Sequence, residues 1–286
     1  MISTLDLARH GRDNGYAVPA VNVFDHVTLR AVVDAAVDGA SPMIVQISVK
    51  TLRAIGLTLV TEMFNAEAAR AAVPVALHLD HCPDPEVALS VIGAGWSSVL
   101  FDASDRPLAE AERATADIVA AAHAAGVDVE SEIENILGVE DDVGSEVATH
   151  AYSVEVLAEV AERTGADLLA PQLGTAHGLY TRPPELQPER ARALADVTER
   201  PIVLHGGTGL SDREFSDFIA AGISKINIST AVKTAYLEAV GAYVAESGRD
   251  PLAMAERARR EVRDVIARHI TVFGSAGHGP SAGGVR

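Results

Sequence analysis

Residues 74–80 read PVALHLD, with His81 directly after, and the fold turns on how that run ends. An apolar, β-branched opening of this length reads as a buried strand, and it closes on two polar residues, Asp80 and His81. Seven more runs of the same kind occur along the chain. They are residues 17–23 (AVPAVNV), 42–48 (PMIVQIS), 97–102 (SSVLFD), 128–133 (DVESEI), 168–174 (LLAPQLG), 201–206 (PIVLHG) and 225–230 (KINIST). Ala-rich amphipathic stretches separate them, among them residues 108–125, 154–164 and 231–247. Pro107 after Ser104-Asp105, Gly126 closing an alanine run, and Ser211-Asp212 before Phe215 are helix start and stop signals.

Eight strands alternating with helices is the count that closes a parallel sheet on itself. The pattern predicts one α/β domain, a (β/α)8 TIM barrel over residues 1–273, with extra helices at residues 4–14 and 251–270. Residues 274–286 (GSAGHGPSAGGVR) have little to bury and are expected to form a disordered tail. Residues 133–152, with Glu140-Asp141-Asp142 between Gly138 and Gly144, read as a mobile loop after the fifth strand.

Bulk properties agree with this picture. The chain has 286 residues, 48% of them hydrophobic, which supplies a large core. Its formal net charge of −17 opposes binding to nucleic acid or to an anionic membrane surface. A local pocket can still attract an anionic small molecule. The single cysteine, Cys82, cannot form an intramolecular disulfide, and no secretory signal or long apolar span is visible. A cytoplasmic protein is the expectation.

In such barrels the functional site gathers at the C-terminal ends of the strands. Those positions are Asn22, Ser48, Asp80 with His81, Asp102, Glu132, His205, and Asn227 with Ser229; the sixth run supplies His177 three residues past Gly174. Mere exposure would scatter Lys, Glu and Arg there, not His, Asp and Asn. His81, His177 and His205 stand at the ends of strands three, six and seven, and three imidazoles with an open fourth position is the arrangement of catalytic zinc. Their spacing matches no local metal-binding motif, so convergence depends wholly on the barrel. His78 shares the face of Asp80 one layer deeper and reads as a core or supporting residue. His10, His26, His123, His150, His269 and His278 fall in helices, loops or the tail and read as ordinary. Asp102 and Glu132 either orient a ligand histidine or offer a second cation position.

Five blocks, in order, resemble the class II, metal-dependent ketose-bisphosphate aldolases (the fructose-bisphosphate and tagatose-bisphosphate aldolases). They are LHLDH (residues 77–81), GVEDD (138–142), GTAHGLY (174–180), LHGGTG (204–209) and INIST (226–230). The resemblance covers nearly the whole chain, from about Thr4 to Ile270. It implies reversible cleavage of a ketose 1,6-bisphosphate, fructose 1,6-bisphosphate before others, to dihydroxyacetone phosphate and glyceraldehyde 3-phosphate. Tagatose 1,6-bisphosphate, and a phosphorylated deoxyketogluconate of inositol catabolism (6-phospho-5-dehydro-2-deoxygluconate), are the alternatives; a sugar-phosphate sensor without turnover is a further one.

Carried over by motif, His81, His177 and His205 would hold Zn2+, which stabilises the enediolate as a Lewis acid. Asp80 would move the proton at the C4 oxygen and Glu140 the proton at C3. Asp102 and Glu132 match the family's alternative position for a divalent cation, and a monovalent cation is also implied. Gly178, Gly206, Gly207, Thr208, Asn227, Ile228, Ser229 and Thr230 match its dihydroxyacetone-phosphate contacts; Asn22 and Ser48 match its substrate-orienting residues. Glycines permit close backbone approach, and a helix start at Ser229-Thr230 offers N–H donors to phosphate. Relatives form homodimers or homotetramers, the assembly implied here.

The chain departs from the common pattern at several positions. Cys82 stands where many members have a second histidine, Glu134 where glycine is usual, and Leu137 in place of the first glycine of a pair. The last two alter the root of the strand-five loop. Val49-Lys50 replaces small residues after strand two, with Lys50 facing either a phosphate or solvent. A Schiff-base mechanism would need a lysine; Lys225 begins the eighth run, at the far end of the barrel, and Lys233 lies in a helix.

Overall fold

A computed structural model describes residues 1–141, 143–145, 150–178 and 184–279. The strands are β1 (Val18–Asn22), β2 (Met43–Ser48), β3 (Val75–Cys82), β4 (Ser98–Asp102), β5 (Asp128–Glu132), β6 (Gly138–Glu140), β7 (Val143–Ser145), β8 (Leu168–Leu169), β9 (Ile202–Leu204) and β10 (Ile223–Ile228). Eight of them close an all-parallel barrel in the order β1-β10-β9-β8-β5-β4-β3-β2. The fold is therefore the expected TIM barrel. β6 and β7 form a separate antiparallel hairpin within the segment read as a loop.

The helices are α1 (Thr4–Asn14), α2 (His26–Asp38), α3 (Val49–Ile55), α4 (Leu57–Ala68), α5 (Pro85–Gly93), α6 (Leu108–Ala124), α7 (Val154–Thr164), α8 (Pro188–Val197), α9 (Asp212–Ala220), α10 (Thr230–Ala245) and α11 (Pro251–Val272). Most begin on a side chain that accepts a backbone N–H, as the sequence signals imply: Ser3, Asp25, Ser48, Asp84, Ser153, Ser211 and Asp250. No helix among the described residues is long and apolar enough to cross a membrane.

Two faces of each strand do different work. Outward side chains such as Val45, Leu77, Val99, Ile226 and Ile228 join the helices in the main apolar core. The inward face is layered. At the bottom, Val18, Ala20, Ile44 and Ala76 meet Leu7 and Tyr16, so α1 plugs the N-terminal end of the barrel. Asp128 ties that plug down, accepting from the Ser3 hydroxyl at 2.8 Å and the Leu5 N–H at 2.9 Å. Above this floor the interior turns polar, through Gln46, His78, Glu130 and Lys225, all buried.

Three sequence expectations need revision. Residues 168–174 are not one strand: pairing stops at Leu169, and Pro171 has no N–H to continue it. Lys225 does not open the eighth strand. β10 starts two residues earlier, and the ammonium is fully buried inside the barrel. Residues 274–279, expected in the disordered tail, are docked. Gly277 and Gly279 donate to the Gly39 and Ala40 carbonyls at 3.0 and 2.6 Å, and the His278 ring stacks on Tyr16 at 4.3 Å. Residues 280–286 lie outside the described residues.

Candidate functional site

Asp80 and His81 are neighbours in sequence, so a regular strand would send them to opposite faces. β3 avoids this with an irregularity between Leu79 and Cys82, where His81 takes φ +40°. A left-handed non-glycine residue is strained, and such strain clusters at functional sites. The turn of the backbone brings both side chains to the mouth and sends Cys82 into the outer core.

There the three expected histidines converge. His81, His177 and His205 each present a ring nitrogen within 4.8 Å of the others, and all are buried. The His81 Nε2 and His205 Nδ1 are 2.9 Å apart, and the His81 ring centroid is 4.7 Å from each of the other two. His177 Nδ1 is buried with no hydrogen-bond partner among the described residues. An orphaned imidazole nitrogen beside two others is a donor set suited to a transition-metal ion.

Burial, reinforced by the neighbouring imidazoles, pushes His177 and His205 well below the usual histidine range. Neutral imidazoles are the form that ligates a metal. Burial opposes protonation of His81 as well, but Asp80, Glu132 and Asp102 outweigh it and raise that ring.

A second group joins the first through His81. Its Nδ1 lies 3.4 Å from Asp102 Oδ2 and 3.5 Å from Glu132 Oε2, and these three also satisfy the geometry of a cation site. Asp102 is held by the Ser104 hydroxyl at 2.6 Å and N–H at 3.1 Å. Burial, with repulsion from Asp102, raises Glu132 well above the ordinary carboxylate range.

Asp80 sits among amide donors. Asn22 Nδ2 donates to it at 2.7 Å, Gln46 Nε2 at 3.0 Å and Asn227 Nδ2 at 3.3 Å. Burial alone would raise its pKa, but positive charge on His81 and Lys225, with the Asn22 bond, holds it below the usual value. Asp80 is therefore an ionised base adjacent to the imidazole cluster.

Glu130 is the residue the sequence reading missed. Fully buried, it accepts from His205 Nε2 at 2.8 Å and forms an ion pair with the Lys225 ammonium at 2.8 Å, and Lys225 donates to Asn227 Oδ1 at 2.7 Å. Its signal was present, since Glu130 and Gln46 lie two residues before Glu132 and Ser48 and so share their inward faces. His78, as read, lies one layer below, with Nδ1 2.7 Å from the Ser98 hydroxyl.

The mouth is a narrow pocket lined by Asn22, Asp80, the three histidines, Gly178, Gly206, Gly207, Thr208, Asn227, Ser229 and Thr230. Two expected residues stand apart from it. Ser48 caps α3, accepting from the Thr51 N–H, and Ile228 packs outward in the core. Lys50 is exposed on α3. Glu140 lies on the hairpin and its side chain is outside the described residues, as are Asp142, Leu179 and Tyr180. The neighbouring Asp141 pairs with Lys233 of α10 at 2.8 Å, which ties the hairpin to that helix.

The sequence matches the family described as class-II fructose-bisphosphate aldolase over residues 2–278. The chain belongs to that family. Membership makes it a lyase of a metal-dependent family, and a buried histidine-rich site that could hold a metal ion is present. Solved structures agree on the fold. An aldolase, YdjI of Escherichia coli K12, is 28% identical, with a TM-score of 0.85 over 97% of this chain and 99% of its own. A Coccidioides immitis protein, provisionally assigned as a fructose-1,6-bisphosphate aldolase, is 25% identical with a TM-score of 0.91, covering 96% of this chain and 97% of its own. Fructose-bisphosphate aldolase of Campylobacter jejuni, at 21% identity and a TM-score of 0.80 over 96% of each chain, shares the fold.

Proposed function

We propose that this class II aldolase uses Zn2+ and reversibly cleaves a ketose 1,6-bisphosphate, fructose 1,6-bisphosphate first among candidates, to dihydroxyacetone phosphate and glyceraldehyde 3-phosphate. The observation that carries the reading is the meeting of His81, His177 and His205 beside an ionised Asp80. These three residues would hold the cation, which when bound supplies Lewis-acid stabilisation of the enediolate charge, worth several kcal/mol. Asp102 and Glu132 would serve as a second cation position through His81.

The chain's own residues then divide the proton work. In cleavage, the Asp80 carboxylate takes the proton from the C4 hydroxyl as the C3–C4 bond breaks. The C4 oxygen becomes the aldehyde carbonyl, and the bonding pair passes into the C2–C3 enediolate. Glu140 returns a proton to C3 and completes dihydroxyacetone phosphate; in condensation both transfers reverse. Asn22, Gln46 and Asn227 keep Asp80 oriented throughout.

Phosphate recognition falls to the loop of Gly206, Gly207 and Thr208 and to the start of α10. That helix has no side-chain cap, and the buried Ser229 hydroxyl has no partner among the described residues. The positive end of a helix that starts without a side-chain cap, with a hydroxyl beside it, suits an anion. A cytoplasmic homo-oligomer completes the reading.

Side-by-side cleavage assays on fructose 1,6-bisphosphate, tagatose 1,6-bisphosphate and 6-phospho-5-dehydro-2-deoxygluconate, with metal analysis of the purified protein, test it. Activity lost to a chelator and restored by zinc is the expected result. Cleavage that survives chelation and is trapped by borohydride would overturn it.

A further inference from the structure

Each proposed metal ligand needs something to hold its ring in place, and the three differ in what they have. His81 is part of β3 and faces Asp102 and Glu132. His205 follows β9 directly and is fixed by Glu130. His177 lies well past the end of β8, in irregular backbone, and its buried Nδ1 has no partner among the described residues. Its position is set by the path of its backbone.

That backbone is stitched to the segment after β5 at two points. At the upper one, Leu137 bridges Ala176, and the His177 N–H donates to the Leu137 carbonyl at 2.7 Å. Gly138 packs so closely that a Cβ there would stand 2.6 Å from the His177 carbonyl oxygen. The lower point is Glu134, the carboxylate where glycine is usual. Fully buried, it accepts from the Gln172 N–H at 3.0 Å, the Tyr152 N–H at 2.7 Å, and Arg190 of α8 at 2.7 and 3.0 Å.

Arg190 closes the circuit by donating to the Gln172 carbonyl at 2.7 Å and the Tyr152 carbonyl at 2.8 Å. The pair therefore grips both the N–H and the C=O of residues 152 and 172. A buried carboxylate so fully satisfied rigidifies what it touches, whereas an unpaired one would be strongly unfavourable.

We propose that Glu134 and Arg190 are a positioning pair: they lock the roots of the loops that follow β5 and β8 together and thereby aim His177 into the metal site. The proposal rests on His177 being a metal ligand. It gives the departure from glycine at Glu134 a function, since a flexible root is exchanged for an ionic one that needs Arg190.

The test equilibrates zinc-loaded, full-length protein with graded amounts of a chromophoric chelator. Wild type is compared with Glu134→Gln, Arg190→Met, Arg190→Lys and the surface control Arg163→Met, which breaks solvent-accessible pairs with Glu112 and Glu159. The zinc Kd should rise about tenfold in Glu134→Gln and Arg190→Met, the lower end of what supporting residues around metal ligands cost, less in Arg190→Lys, and not at all in the control. Amide hydrogen exchange gives a second reading. The Tyr152, Gln172 and His177 amides should exchange at one common slow rate in wild type and accelerate together in Arg190→Lys.

Wild-type zinc affinity in folded Glu134→Gln and Arg190→Met would overturn the proposal. So would a His177 amide that exchanges independently of Gln172, and that result needs no substitution to fold. Wild-type protein that binds no zinc would instead defeat the metal reading, leaving the exchange result to decide on the clamp.

Discussion

Gly206→Ala separates the geometry of the site from general stability. Gly206 has φ +65°, and an added Cβ would lie 2.5 Å from the Ala176 carbonyl oxygen, 2.7 Å from its carbon and 3.0 Å from its nitrogen. All three are backbone atoms, so no side chain can swing aside. Placing Ala in the left-handed region costs about 1–2 kcal/mol. Restoring ordinary contact requires Ala176 to retreat by roughly 1 Å, and overpacking of this kind costs a further 1–3 kcal/mol or so. His177 follows Ala176 directly and moves with it, and a misplacement of about 1 Å at a reacting centre costs on the order of 100-fold. The comparison is Gly126→Ala, at φ +70° with nothing within 4 Å of the new Cβ, which bears only the backbone cost. Thermal unfolding, zinc competition and kcat/KM should show a small Tm loss alone for Gly126→Ala. Gly206→Ala should add a zinc affinity lowered tenfold or more, by the same order as losing a supporting residue, and kcat/KM lowered about 100-fold. Wild-type zinc affinity and turnover in a folded Gly206→Ala protein would refute the reasoning.

Asp80→Asn keeps the shape but removes the base; kcat should fall by about 100-fold or more while zinc content and Tm stay near wild type, checked by steady-state kinetics and metal analysis. Lys225→Met leaves Glu130 buried without its ammonium and should destabilise the fold by about 3–5 kcal/mol in denaturant unfolding, with Lys225→Met/Glu130→Leu recovering part of the loss. Burial pushes the Cys82 thiol up to about 11 from 9.0. The unfolded chain ionises first, so the stabilisation is full below pH 9 and is lost as pH rises toward 11. The loss should reach about 3 kcal/mol over that window and vanish in Cys82→Ala, read from urea midpoints against pH.

What the sequence disclosed, and what it hid, follows from the periods of side-chain direction. The eight strands and the histidine trio were legible because strand ends in a barrel share one rim, so Asp80, His81, Asp102, Glu132 and His205 could be placed together by counting. Glu130 and Gln46 obey the same period-2 rule but lie one layer down, where apolar filling is the expectation. Lys225 was misplaced because β10 begins two residues before the polar part of its run. The left-handed turn at His81 was not legible at all, since no glycine marks it. Nor was the docking of residues 274–279, whose composition resembles a free tail but whose glycines permit close contact with the Gly39-Ala40 backbone.

The upper barrel also shows how one site gives similar carboxyls different tasks. Asp80, Asp102, Glu130 and Glu132 are all buried there, and among the described residues Lys225 is the one buried ammonium. Environment sorts them. Glu130 spends its charge on Lys225 and His205. Asp80, facing three amide donors, stays ionised below the usual range and is ready to accept a proton. Glu132 accepts one hydrogen bond, from the Ile136 N–H at 3.4 Å, and burial with the repulsion of Asp102 outweighs the attraction of His81 and drives it toward the protonated form. Carboxyls whose pKa values are pushed apart in this way mark a division between proton transfer and ligation. On this ground Asp80 is the residue we propose as the base of the reaction, and Glu132 the one we propose for the second cation position.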